Sequence, residues 1–121
     1  DSEESGALYL SCAGSCDARV SLGLKSAPAD DLLVLQLKLS GLTGGHSGTD
    51  IHLGRANAIG LMALLLSSVP DVRLVELEGG TVRNALPVSA VAETVAAETA
   101  EVVSAVIHAI RAGQSNLHSA Y

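Results

Sequence analysis

The sequence contains no phenylalanine and no tryptophan, and only two tyrosines. That removes the aromatic platforms on which single-stranded nucleic acid stacks. It also means that any core must be built from Leu, Val, Ile and Ala. Basic residues are scarce, with 7 Lys and Arg against 13 Asp and Glu, for a net charge of −6. A nucleic-acid partner needs clustered cations to displace counterions, so that class is excluded. Charge of either sign is low, at 17% of residues, where soluble domains carry roughly 25%. Long apolar runs are missing as well. The longest uncharged stretch, Ala56 to Pro70, includes Asn57 and Gly60 and falls short of the ~20 residues of a membrane-spanning helix. Two cysteines, Cys12 and Cys16, make no disulfide framework and suit a reducing, cytoplasmic setting. They read as small buried hydrophobes. The start, Asp1-Ser2-Glu3-Glu4, has no basic region and no apolar stretch, so no signal peptide is read. An acidic start without Met reads as a piece of a longer chain.

What is present is 121 residues, 48% of them hydrophobic. Mean hydropathy is +0.39. The length allows one domain that buries about two-thirds of its unfolded surface. The apolar content excludes disorder. The shortage of charge means either that the surface is unusually apolar or that part of it faces another protein surface.

Residues 7–12 and 17–24 read as two short strands or one interrupted strand, with Ala18, Val20, Leu22 and Leu24 on one face of the second. Residues 32–40 give the clearest strand, with Leu33, Leu35, Leu37 and Leu39 facing one side. A glycine-rich loop covers 41–49. The next helix starts near Asp50 or a few residues later, capped by Thr49 or Asp50. Its apolar face carries Ile51, Ala58, Ile59, Met62, Leu65, Leu66 and Val69, and Pro70 ends it. Strands follow at 72–78 and 88–97, joined through Gly79-Gly80 and a loop to Pro87. A last helix covers 99–112, with Val102, Val103, Val106, Ile107 and Ile110 buried and Gly113 as its stop. The order predicts an α+β two-layer sandwich: a roughly four-stranded, mainly antiparallel sheet with two helices on one face.

Two loops could carry chemistry. In Gly44-Gly45-His46-Ser47-Gly48 the glycines permit unusual backbone angles and leave amides uncovered. No Lys-Ser or Lys-Thr follows them, so the loop is not a nucleotide phosphate cradle. His46 sits on the loop and not on an apolar face, where it can donate to a ligand oxygen. The pattern alone also allows a loop histidine satisfied by backbone groups. In Gly79 to Pro87, Asn84 can donate and accept, and Arg83 can pair with a carboxylate. Taken alone, this loop reads first as a connection in which Asn84 caps local backbone. His46, His52, His108 and His118 do not form a compact metal-ligand set.

Three segments together resemble one family. They are Asp1-Ser2-Glu3-Glu4, then Gly41-Leu42-Thr43-Gly44-Gly45-His46-Ser47-Gly48-Thr49-Asp50-Ile51-His52-Leu53-Gly54-Arg55-Ala56-Asn57-Ala58, then Gly79-Gly80-Thr81-Val82-Arg83-Asn84-Ala85-Leu86-Pro87. The family is that of the aminoacyl-histidine dipeptidases, or cytosol non-specific and beta-alanyl-histidine dipeptidases, among the co-catalytic zinc metallopeptidases. In these enzymes a lid or dimerisation domain is inserted into a catalytic domain that binds two zinc ions. The resemblance implies that residues 7–113 are that lid or its first part and that 1–6 are the edge of the catalytic domain; residues 114–121, which carry no clear pattern, read as a separate tail. It implies a homodimer through a sheet edge or helix face, a dipeptide substrate, and contact with the catalytic domain of the same chain. His46 matches the lid histidine that stabilises the transition state, and Asn84 and Gly45 match substrate-binding positions. Asp1 matches one zinc ligand, which by itself cannot hold the metal. Arg55 and Asn57 are expected to stabilise the helix start. The chain alone is therefore expected to bind no zinc and to be inactive. A different class, a stand-alone ferredoxin-like regulatory domain with a small anion or amino acid at Gly44–Gly48, accounts for the loop but not for Asp1–Glu4 or Asn84.

Overall fold

The computed structural model describes residues 5–11 and 14–118, with side chains described through Ile110 apart from Thr99. Asp1, Glu3, Glu4 and Cys12 lie outside the described residues. Three strands form one antiparallel sheet: β1 (Leu33–Leu39), β2 (Arg73–Gly79) and β3 (Ala90–Ala96), in the order β1-β3-β2. Between β1 and β2 lie a short 3-10 turn (Ile51–Leu53) and helix α1 (Ala58–Ser67); helix α2 (Thr99–His118) follows β3.

The alternation in β1 does what its pattern predicts. Leu35, Leu37 and Leu39 are half-buried, whereas Val34, Gln36 and Lys38 are exposed; Leu33, expected on the inward face, is exposed at the strand's start. Leu37 and Leu39 pack against Ala58 and Met62 of α1 and Ala90 and Ala92 of β3. Leu35 packs against Val69, Ala96 and Val102 of α2. Both helices therefore cover the leucine face of the sheet. The small residues of β3 let the helices approach its centre. Thr94, wholly buried there, donates its hydroxyl to the Leu35 carbonyl at 3.2 Å, and among the described residues no buried side-chain nitrogen or oxygen lacks a partner. The α+β class and the two helices on one face match the expectation from the sequence.

A fourth strand is not seen among the described residues. Residues 5–11 and 14–31 are exposed throughout, and the packed unit begins at Leu32. Val20, Leu22 and Leu24 are 79%, 78% and 85% exposed. Alternation marks a segment that can join a sheet edge; it cannot supply the edge. Cys16 is likewise exposed and not a core residue.

Three further expectations are corrected. Helix α1 is capped by Asn57, whose Oδ1 accepts the amides of Ile59 and Gly60 at 2.9 and 3.2 Å. Neither Thr49 nor Asp50 caps it, because the chain makes the separate 3-10 turn first and reverses at Gly54. Helix α2 does not stop at Gly113 but runs to His118. A single internal glycine costs a helix only about 1 kcal/mol relative to alanine, and no proline follows to force an end. The buried stripe of α2 is Val102 with Ala105 and Val106 partly covered; Val103, Ile107 and Ile110 are exposed. The exposed apolar side chains are thus spread over the 7–24 segment, both helices and both outer strands, not gathered on one face.

Candidate functional site

The two glycine-bearing loops, far apart in sequence, run side by side. The Ser47 amide donates to the Asn84 carbonyl at 2.8 Å, and the Leu86 amide to the Gly45 carbonyl at 2.8 Å. His46 and Ala85 form an antiparallel bridge between them. Leu42 donates to the Val88 carbonyl at 3.3 Å, and Ala58 donates to the Pro87 carbonyl at 3.0 Å. The second loop is thereby anchored both to the first loop and to the start of α1. This zipper puts the side chains of His46 and Asn84 together, with Nε2 and Nδ2 3.5 Å apart. Asn84 is thus more than a local backbone cap.

The His46 ring has one side committed to the backbone. Its Nδ1 accepts the amides of Gly48 at 3.0 Å and Thr49 at 3.1 Å. A ring nitrogen that accepts carries no proton, so in the neutral imidazole the proton sits on Nε2. Of the two readings left open by the sequence, the structure shows the backbone-satisfied one at Nδ1, while Nε2 lies beside Asn84. A side chain at Gly48 would press on this ring, with its Cβ 3.3 Å from Cε1 and Nδ1.

Beneath the histidine lies an ion pair. Asp50 Oδ2 accepts the His46 amide at 2.9 Å, and Arg55 Nη1 donates to the same oxygen at 3.3 Å. Arg55 Nη1 also donates to the Gly44 carbonyl at 2.8 Å. Gly45 gives this pair its room. It has φ +145°, and a Cβ there would stand 2.6 Å from both Arg55 Nη1 and Asp50 Oδ2. Arg83, expected to meet a carboxylate, pairs with Asp17 at 2.7 Å, but both side chains are largely exposed, and such pairs contribute little stability.

An open groove runs from Ser47 past Asn57 and Ile59 to Thr81, Arg83 and Pro87; its lining includes chain neighbours of His46 and Asn84 but not those two residues themselves. Among the described residues no group of three His, Cys, Asp or Glu side chains could hold a metal ion. Asp1 lies outside the described residues. His52 and His108 are exposed. No helix among the described residues is long and apolar enough to cross a membrane.

Asp50 and Arg55 are the residues that sequence reasoning misplaced. They read there as helix-start residues, yet they hold the histidine loop. Their spacing of four and nine residues from His46 has no periodic signature, because the loop that joins them is irregular.

Comparison with known proteins gives three likenesses. Residues 37–115 match the family described as the peptidase dimerisation domain. The chain is 40% identical over 113 residues to the cytosol non-specific dipeptidase of Escherichia coli (strain K12), covering 89% of this chain and 23% of that protein. Its fold is similar to the crystal structure of aminoacylhistidine dipeptidase from Vibrio alginolyticus, with a TM-score of 0.67 and 32% identity. That match covers 79% of this chain and 21% of the other. The chain therefore spans less than a quarter of the length of these relatives.

Proposed function

The chain belongs to the peptidase dimerisation domain family, and on that premise we propose that it is the lid and dimerisation domain of a longer dizinc dipeptidase acting on Xaa-His-type dipeptides. In that reading residues 7–113 form the lid and residues 1–6 the edge of the catalytic domain. The dipeptidase relatives support the substrate class, and the cytosol in one relative's name supports a cytoplasmic setting.

The observation that carries the site reading is the meeting of His46 and Asn84. With the proton on Nε2, both side chains present N–H donors 3.5 Å apart. Two donors at that spacing can share one oxygen acceptor at about 2.9 Å from each. An oxygen that gains negative charge as the scissile carbonyl becomes tetrahedral is the acceptor they suit best. Gly45 keeps the loop in the form that presents them, and the groove from Ser47 to Pro87 gives a dipeptide room. Asn84→Ala in the longer enzyme is then expected to lower kcat/KM about tenfold to a hundredfold. Unchanged steady-state kinetics would remove Asn84 from the site.

The zinc that this reading implies finds no holder among the described residues. It belongs to the catalytic domain, and none of the steps assigned to this chain passes through it. The chain alone is accordingly expected to give no turnover of a carnosine-like dipeptide with added zinc or manganese. Measurable hydrolysis would contradict the division of labour proposed here.

Dimerisation is assigned to the open β2 edge together with the outer face of α1. Helix α1 packs on β2, and Leu61, Leu64, Leu74 and Val75 leave exposed apolar surface on these two elements. An unpaired strand edge beside apolar surface suits a two-fold partner. Light scattering on the concentrated chain is expected to report a dimer, and Leu64→Asp a monomer. A wild-type monomer at high concentration would argue against this interface.

A further inference from the structure

Nothing in the reading so far explains why the His46 loop carries an ion pair. Among the described residues the pair's side chains hydrogen-bond to no groove residue and cap no helix. Its contacts all return to the backbone around His46. Asp50 Oδ2 holds the His46 amide, and Arg55 Nη1 ties that same oxygen to the Gly44 carbonyl, two residues before the histidine. The Asp50 amide in turn donates to the His46 carbonyl at 3.1 Å. The Gly44 carbonyl and the His46 amide are therefore tied to a single carboxylate–guanidinium unit, and the His46 carbonyl to the backbone of that unit's aspartate. Both side chains are only 33% exposed, so solvent screens the pair less than it does the Arg83–Asp17 pair.

The consequence reaches the ring. With the loop closed by Asp50 and Arg55, the amides of Gly48 and Thr49 converge on Nδ1. Two N–H groups aimed at one ring nitrogen exclude a proton there and set the ring plane. Nε2–H is then the donor that remains, on the side of Asn84.

We propose that Asp50 and Arg55 are positioning residues that lock the Gly44–Thr49 loop and thereby hold His46 in one orientation and as the Nε2–H tautomer. The catalytic meaning of this clamp rests on the reading of His46 as a donor to substrate; the clamp itself does not. Arginine suits the task because one rigid guanidinium nitrogen serves a carbonyl and a carboxylate at once. Gly45 leaves the space through which the pair closes.

The test is nitrogen-15 NMR of this chain at about pH 8, where an ordinary imidazole is neutral. Two readouts are taken together: the His46 ring-nitrogen shifts and the exchange rates of the Gly48 and Thr49 amides. The wild-type chain is expected to show a protonated Nε2, an unprotonated Nδ1 and both amides slowed. Arg55→Ala is expected to move the ring shifts towards those of a free imidazole. It should also speed exchange at Gly48 and Thr49 by about tenfold or more, the effect of losing one charge-assisted hydrogen bond. The β3 amides, read in the same spectra, should stay protected. If they do not, Arg55→Met keeps the aliphatic stem, removes only the donors, and is expected to give the same loop-specific change. A wild-type Nδ1–H, or wild-type shifts and exchange retained in the folded variant, overturns the clamp. Kinetics of Arg55→Met in the longer enzyme separates the two claims. A fall in kcat at nearly constant KM supports both. Loosened amides with unchanged kcat leave the clamp standing and remove His46 from the reaction.

Discussion

His46→Ala in the longer peptidase is expected to lower kcat by about 10²–10³-fold, with a smaller change in KM. The ring contributes a donor whose partner is richest in charge at the tetrahedral stage, so its loss falls on the transition state more than on the bound substrate. The substitution should leave the fold largely intact, because His46 is exposed and packs into no core cluster. The Gly48 and Thr49 amides that faced Nδ1 can turn to water, at a cost of about 1 kcal/mol. Urea denaturation and steady-state kinetics on the same variant distinguish these effects. A kcat within a factor of about two of wild type would mean that this side chain does not meet the reacting oxygen.

Gly45→Ala is expected to damage both stability and activity. At φ +145° an L-residue is strained by about 1–3 kcal/mol before any contact is counted. The added Cβ would also stand 2.6 Å from both members of the Arg55–Asp50 pair, which must then part. We expect a loss of about 3 kcal/mol in urea denaturation. We also expect a fall in kcat comparable with that of His46→Ala, because the histidine loses its support. Gly54→Ala is the control. Gly54 has φ +62°, but a Cβ there meets nothing within 4 Å, so only the smaller penalty of about 1 kcal/mol for positive φ should appear. Equal losses at the two positions would show that the close approach over Gly45 carries no energy of its own.

These expectations rest on features of unequal visibility in the sequence. The leucine face of β1 was legible because alternation is a local property and burial of one sheet face enforces it. The apolar face of α1 was legible in the same way, and Ala58 and Met62 are buried, but Ile51, expected on that face, lies in the preceding 3-10 turn and is exposed. Asn57, expected to stabilise the start of α1, does cap it, but Thr49 and Asp50 read as caps too, and the choice among them depends on where the 3-10 turn and Gly54 redirect the chain. Val103, Ile107 and Ile110 carry helical spacing but lie exposed, since periodicity identifies a stripe and not what covers it. The 17–24 segment failed as a strand on the same ground: it alternates, and no edge receives it.

The site divides in the same way. By itself the sequence determined that the chain is an α+β unit with a core of small aliphatic residues. It also determined that Gly44–Gly48 and Gly79–Pro87 are the unusual loops, and that His46 and Asn84 are their polar side chains. Periodicity, turn chemistry and motif spacing are read residue by residue, so those features need no coordinates. Only the tertiary structure decided that the two loops are zipped backbone to backbone, that His46 turns Nδ1 inward and Nε2 towards Asn84, and that Asp50 and Arg55 close beneath Gly45. Each of these depends on irregular backbone meeting across a long separation in sequence. Hydrogen bonds of that kind leave no period behind, and they exist only once the β1-β3-β2 sheet and α1 have brought both loops to one end of the fold.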